Sequence, residues 1–330
     1  MNSARRPLGQ ADAELGSALS CRYILGISFD CPLQNILMRI ALTGATGFLG
    51  RYLIDELSPK HDLQAWHRGE KPPANESPVI WISGQLGTPC TTGPLVEGVD
   101  AVIHSCLYRT GESFLAVGDD PIDYWEKNTT GSLRLLEAAK QAGVKRFVFI
   151  SSGAVHDDVL PGQPLDESHP HRPNTLYGAY KASVESLVHH YGSDSRMCSV
   201  SLRPTAIYGA ANPIDQSKWY ELAQNVAAGK SVSATGGSKC VHAQDVAKAC
   251  HLLLNADAEI SGETFNCCDR MISDYEVATI AKELTGSSAT IEGPQKTAKN
   301  AIVTDKLEKL GMRFGGESLL RSTVEQLLAA

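Results

Sequence analysis

Met38-Arg39-Ile40-Ala41-Leu42-Thr43-Gly44-Ala45-Thr46-Gly47-Phe48-Leu49-Gly50 is the stretch on which the fold turns. Ile40 to Leu42 start a strand, a helical pattern runs from Phe48 to Leu57, and three glycines spaced three apart stand between them. Glycine at 44 permits a tight turn, Gly47 lets the backbone approach a pyrophosphate, and Gly50 lets helix and strand pack closely. The N–H groups opening the helix, across Thr46, Phe48 and Leu49, then receive the anion. Glycines at this spacing mean little in an arbitrary loop. A strand before and a helix after make them a dinucleotide-binding turn.

Outward from this turn, short apolar runs alternate with longer helical patterns. The runs are Ile40 to Leu42, Leu63 to Trp66, Val79 to Ile82, Ala101 to Ile103, Phe147 to Ile150 and Val200 to Leu202. The helical stretches are clearest at Phe48 to Leu57, Ile122 to Gln141 and Leu176 to Tyr191. Buried strands alternating with helices predict an α/β, doubly wound parallel sheet, because each crossover must be long and right-handed. Beyond Leu202 the pattern predicts helices at Asn212 to Gly229, Gln244 to Leu254, Asp274 to Leu284 and Glu317 to Leu328, with a strand at Glu263 to Cys267. The expected organisation is a dinucleotide-binding domain over 38–203, rejoined by 241–268, and a smaller α/β C-terminal substrate domain from 204–240 and 269–330. Residues 1–37 show no sustained period and make a poor secretory signal; a start placed too early is the preferred reading, and Met38 the natural first residue.

The 330 residues suffice for two domains. At 42% hydrophobic and 20% charged they read as globular. Thirty basic against 37 acidic side chains, with no basic cluster, argue against a nucleic-acid partner. No apolar run approaches the roughly 18 residues of a membrane span, so no membrane association is expected. Nine cysteines without a C-x-x-C pair predict a reducing, cytoplasmic setting and small buried thiols. His169-Pro170-His171 and His189-His190 read as solvated loop and surface histidines, and no metal is expected.

Chemistry concentrates at three further places. The second strand ends in Trp66-His67-Arg68, with no carboxylate to accept from a ribose 2'-hydroxyl, and Arg68 there suits a 2'-phosphate, so NADP is favoured over NAD. Tyr177 and Lys181 lie four apart on one helical face, where an ammonium can help a phenol exchange its proton near neutral pH. Tyr180, whose partner at that spacing is Val184, is the decoy. Ser152 ends the fifth strand at the carboxyl edge of the sheet, where a hydroxyl can bond a substrate oxygen.

With these residues in order, the chain resembles the extended short-chain dehydrogenases and reductases, whose largest branch is the NAD-dependent epimerase/dehydratase group. The resemblance runs from Met38 nearly to the C-terminus. It rests on the glycine turn, Asn128-Thr129-Thr130-Gly131-Ser132, Ser151-Ser152, Tyr177-x-x-x-Lys181, Arg203-Pro204-Thr205-Ala206-Ile207-Tyr208-Gly209 and Val241-His242-Ala243-Gln244-Asp245-Val246-Ala247. It implies a Rossmann fold, Tyr177 as general acid/base, Lys181 on the nicotinamide ribose, Ser152 polarising the substrate oxygen and Asn128 supporting the site. It also implies cofactor contacts at Gln85, Leu86, Ser105, Cys106 and Pro204, and a homodimer through the helices of Ile122 to Gln141 and Leu176 to Tyr191.

Departures narrow the substrate. Family 4,6-dehydratases carry Thr-Asp-Glu where Ser152-Gly153-Ala154 stands, so dehydration is not expected. Ala206 and Ser238-Lys239 replace the asparagine and arginine that hold a diphosphate in many sugar-nucleotide enzymes, with Lys218 or Lys239 as substitutes. The resemblance thus implies an NAD(P)-dependent oxidoreductase or epimerase acting on a small-molecule secondary alcohol or ketone, of a sugar or sugar nucleotide. A carbonyl reductase of the dihydroflavonol and hydroxysteroid type is the alternative enzyme. A non-catalytic dinucleotide-binding redox sensor is the alternative of another class.

Overall fold

The computed structural model describes residues 37–69, 78–110, 117–193 and 196–330. The stretch expected to precede the fold, 1–37, lies outside them save for Leu37. The first half runs β1 (Arg39–Thr43), α1 (Phe48–Leu57), β2 (Asp62–His67), β3 (Val79–Ser83), α2 (Thr92–Val96), β4 (Ala101–His104), α3 (Pro121–Trp125), α4 (Gly131–Gln141), β5 (Arg146–Ile150), α5 (Leu176–Gly192) and β6 (Cys198–Pro204). The second half runs β7 (Ala206–Tyr208), α6 (Tyr220–Ala227), β8 (Val232–Ser233), β9 (Gly237–His242), α7 (Ala243–Asn255), β10 (Thr264–Cys267), β11 (Arg270–Ser273), α8 (Asp274–Thr285), β12 (Ile291–Glu292), α9 (Asp305–Lys309) and α10 (Gly316–Leu328).

Seven strands form one sheet in the order β10-β6-β5-β4-β1-β2-β3, each pair parallel. Ile40 lies beside Leu63 of β2 on one side and Ala101 of β4 on the other. The chain therefore leaves β1 in one direction and returns to its other side, which opens a crevice at the carboxyl ends of β1 and β4.

Both faces of the sheet are covered, which explains the unbroken apolar runs. Ile40, Leu42 and Val148 point to one face, under Leu53 and Leu57 of α1 and Val246 and Leu253 of α7. Ala41, Phe147 and Phe149 point to the other, under Leu135 and Leu136 of α4 and Val184 and Val188 of α5. Through α7 and β10 the chain rejoins the large sheet after residue 242. A third cluster joins Tyr208, Val226, Ile272, Val277, Val324 and Leu327, beside a three-stranded sheet β11-β9-β7.

Two predicted helices differ. Ile122 to Gln141 is helical throughout, but a π-helical turn over Glu126–Thr130 separates α3 from α4. Asn128 sits in that turn, and its Nδ2 donates to the Tyr124 carbonyl oxygen at 2.9 Å, a group the wider turn leaves for it. The helix predicted from Asn212 begins only at Tyr220. Before it, Ser217 Oγ accepts from Ala211 N, Lys218 Nζ donates to Ser238 Oγ and Trp219 Nε1 to Asp274 Oδ1. These bonds hold Trp219 in the left-handed region, at φ 69°, and keep the segment off the helix.

Cys240, Cys250, Cys267 and Cys268 are buried as expected, whereas Cys90 is exposed. Among the described residues no helix is long and apolar enough to cross a membrane.

Candidate active site

A cleft of about 2240 Å³ opens along the carboxyl ends of β1, β4, β5 and β6. The glycine turn forms one wall. Gly44 has φ +77°, and a Cβ there would lie 2.7 Å from Ser105 Oγ and 2.8 Å from Cys106 N. Gly47 precedes α1 without any side-chain cap, so the first N–H groups of the helix face the cleft. An uncapped helix start behind a side-chain-free turn fits the pyrophosphate of a dinucleotide.

Thr46, Phe48 and Leu49 line the cleft beside Gly44 and Gly47, as do Arg68, Gln85, Leu86, Ser105, Cys106, Ser152, Tyr177, Lys181 and Pro204. Arg68 is exposed at the end of β2. Two sequence-predicted residues stand behind the wall. Gly50 packs against the turn backbone, and Asn128 is fully buried.

Asn128 acts through the loop after β4. Its Oδ1 accepts from Tyr108 N and its Nδ2 donates to Tyr108 O, each at 2.9 Å. A second network fixes the same loop. Ser132 Oγ donates to Asn128 O at 2.6 Å, so it must accept from His104 Nε2 at 2.8 Å. His104 Nδ1 then accepts from Thr43 Oγ1 at 2.8 Å, which leaves that oxygen to accept from Ser105 N and Cys106 N. Burial, with the charge of Lys181, pushes the His104 imidazole down to about 3, consistent with this neutral tautomer.

Tyr177 and Ser152 meet because α5 starts hard against the segment after β5. Thr175 caps α5 by accepting from Gly178 N at 3.1 Å, and any Cβ on Gly178 would collide with the Ala154 carbonyl. Burial pushes the Tyr177 phenol above its usual range, and Ser152 beside it pulls the other way. Lys181 is buried and donates from Nζ to Ile150 O at 2.6 Å. Burial pulls its ammonium down to about 7, against the opposite pull of Cys106 and Glu185. Tyr180 turns into the core against Phe149 and Tyr124.

Below this group lies an ion pair, Arg203 and Glu185, each side chain 3% exposed. Arg203 Nε reaches Glu185 Oε1 at 2.9 Å and its second amino nitrogen reaches Oε2 at 2.7 Å. Its guanidinium also meets His156 Nε2 at 3.0 Å and His171 Nε2 at 2.6 Å. Burial and the Arg203 charge push His156 down to about 4, so it accepts from Arg203 as a neutral ring.

The reading of His169 as solvated needs correction, whereas His171 is exposed as expected. His169 is buried, its Nε2 accepting from Leu160 N at 3.1 Å, and His171 joins Arg203 and Glu185. The segment that carries them lies as a strap against the Arg203 guanidinium, which reaches Glu167 O at 3.5 Å as well as His171. His189 and His190 are exposed. Among the described residues no group of three metal-ligating side chains is assembled. Sequence reasoning passed over Glu185, although it continues the face of Tyr177 and Lys181 by another four residues.

The model of the NAD dependent epimerase/dehydratase family matches residues 40–268. A 3-beta-hydroxysteroid dehydrogenase of Mycolicibacterium neoaurum is 29% identical over 220 residues, 64% of this chain and 57% of that protein. A uronate dehydrogenase of Pseudomonas syringae pv. tomato is 31% identical over 175 residues, 52% of this chain and 60% of that protein. The chain thus spans little more than half the length of these curated relatives. Among solved structures, a UDP-glucose 4-epimerase of Thermotoga maritima superposes with a TM-score of 0.72 at 22% identity, covering 87% of this chain and 98% of that one. That likeness is one of fold.

Proposed function

This chain belongs to the NAD dependent epimerase/dehydratase family, and we propose that it is an NAD(P)-dependent oxidoreductase or epimerase that interconverts a secondary alcohol and its ketone on a sugar or sugar derivative. The observation that carries the reading is that Ser152, Tyr177 and, one turn on, Lys181 line a single cleft whose other wall is the glycine turn. Gly44, Gly47 and the start of α1 would hold the pyrophosphate, and Arg68 a 2'-phosphate, so NADP(H) is the preferred cofactor. The nicotinamide, when bound, supplies or accepts the hydride.

The protein's own part is the proton. Ser152 Oγ bonds the substrate oxygen and sets it beside the Tyr177 phenol, which gives that oxygen a proton or takes one from it. A phenol held high by burial stays protonated at neutral pH and gives up its proton less readily than a free one. The nearby Lys181 ammonium favours phenolate, and its position at the edge of titration lets it respond to a change in local charge. Asn128 and His104 position the loop carrying Ser105 and Cys106.

Purified protein screened with sugars, nucleotide sugars and ketones, followed by nicotinamide absorbance, tests the reaction class. Tyr177→Phe should lower turnover by about 10² to 10⁴ with cofactor binding retained. Equal turnover by that variant would remove the mechanism. The same family reading expects a homodimer through the helices of Ile122 to Gln141 and Leu176 to Tyr191, and Ile122 at the start of the first is 68% exposed. Sedimentation showing only a 35.4 kDa species at micromolar concentration would exclude it.

A further inference from the structure

One carbonyl joins the helix of the glycine turn to the segment that follows β7. Ala210 is buried, and its carbonyl oxygen accepts from two side chains of α1, the Arg51 guanidinium and Tyr52 Oη, the latter at 3.0 Å. The oxygen has two lone pairs, and both are used. Arg51 also lies 5.3 Å over the Tyr52 ring, and His242 meets that ring edge-on at 5.6 Å. The loop backbone is fitted to this surface: Gly209 has φ +148°, and a Cβ there would stand 2.6 Å from Tyr52 Oη and 3.3 Å from His242 Nε2. Holding a pyrophosphate needs none of this, since it calls only on the first turn of the helix.

The segment beyond Ala210 is part of the cleft. Ala211, Asn212, Gln216, Ser217 and Lys218 line it, between β7 and α6. Just before β7, the Thr205 methyl lies 3.6 Å from where a Gly153 Cβ would stand, next to Ser152. Local bonds shape the segment: Ala211 N donates to Ser217 Oγ at 2.7 Å, Gln216 N to Pro213 O at 3.2 Å and Ser217 N to Ile214 O at 3.0 Å. Its far end is tied elsewhere, Lys218 to Ser238 of β9 and Trp219 to Asp274 of α8. Its near end rests on α1 through Ala210.

We propose that Arg51 and Tyr52 are positioning residues that couple the two ends of the cleft: a dinucleotide seated on the start of α1 steadies the segment 210–218 through the Ala210 carbonyl and so readies the wall for the alcohol or ketone. The inference rests on the glycine turn holding the cofactor and on the cleft being the reaction site, as proposed above. An anion on the uncapped N–H groups removes freedom at the helix start, and the segment bonded to the next turn then has less freedom left to lose. The coupling is reciprocal, so a ligand that orders the segment tightens the dinucleotide by the same factor.

Amide hydrogen exchange tests this without a known substrate. Peptides covering 209–220 are followed with and without saturating NADPH, or NADH if that binds more tightly, in the wild type, in Arg51→Lys and in an Arg51→Met, Tyr52→Phe double variant. Cofactor fluorescence confirms occupancy, and peptides of β5 report that each variant is folded. In the wild type the cofactor should slow exchange of the segment by about 5-fold or more. In the double variant the segment should exchange at one rate with or without cofactor, and Arg51→Lys, which keeps a donor beside the Tyr52 hydroxyl, should keep most of the wild-type ratio. A role in holding the loop alone would speed exchange in both states and leave the ratio unchanged. That result, or an unaltered segment in the cofactor-loaded wild type, would overturn the proposal and leave the cofactor reading standing. Binding of neither cofactor would bring down the cofactor reading and the coupling with it.

Discussion

Replacing Glu185 by glutamine removes one charge from a pair that water does not reach, and its cost can be worked out in two ways. Burial pushes the Glu185 carboxyl up, but the neighbouring His171 and the hydrogen bonds and charge of Arg203 outweigh it and hold the group at about 2, against an ordinary value of 4.5. A depression of that size corresponds to about 3 kcal/mol of folding stability at neutral pH, at about 1.4 kcal/mol per unit. Independently, breaking a buried ion pair from one side costs about 3 to 5 kcal/mol, because the remaining charge is left uncompensated. Glutamine keeps the shape and one acceptor, which points to the lower end. Urea denaturation at pH 7 should therefore show Glu185→Gln less stable by about 3 kcal/mol. The sign of the pH dependence follows from the depressed value: the contribution is complete above about pH 4.5 and disappears as pH falls towards 2, so wild type and variant should converge in acid. A Glu185→Met, Arg203→Met double variant should recover much of the loss, since no charge is then stranded. A loss under about 1 kcal/mol at pH 7, with the acid sensitivity unchanged, would show that the pair does not hold α5 to β6 in the way argued.

Three other outcomes are open to direct measurement. Arg68→Ala should weaken NADPH by roughly 5- to 150-fold and leave NADH unchanged in fluorescence titrations; equal loss of both, or of neither, would make Arg68 a solvated surface residue. Gly44→Val should abolish binding of either cofactor, because its Cβ would meet Ser105 Oγ and Cys106 N, and calorimetric titration reads this directly. His104→Leu should cost about 1 to 3 kcal/mol in denaturant for each of the Thr43 and Ser132 hydroxyls left without its partner, whereas a loss of only a few tenths would show that both find substitutes.

What could be read from the sequence follows from the range of each interaction. The glycine turn, the strands and the Tyr177–Lys181 face depend on periods of two to four residues, and those periods are written in the chain. Asn128 was legible as a residue but not as a geometry: its side chain reaches back only four residues to Tyr124, yet a π turn was needed to bring that carbonyl into line. The helix expected from Asn212 failed for the opposite reason, because its first residues are held by Ser238 and Asp274, 20 and 55 positions away. The histidines make the same point about charge. Nothing near His171 in sequence suggests an ion pair, since Arg203 lies 32 residues on and reaches it only after β6 and α5 are side by side. A local reading could see a proline-flanked histidine and assign it to solvent. The fold places it against a buried guanidinium that Glu185 neutralises, and thereby joins the strap at 169–171 to the helix that carries Tyr177 and Lys181.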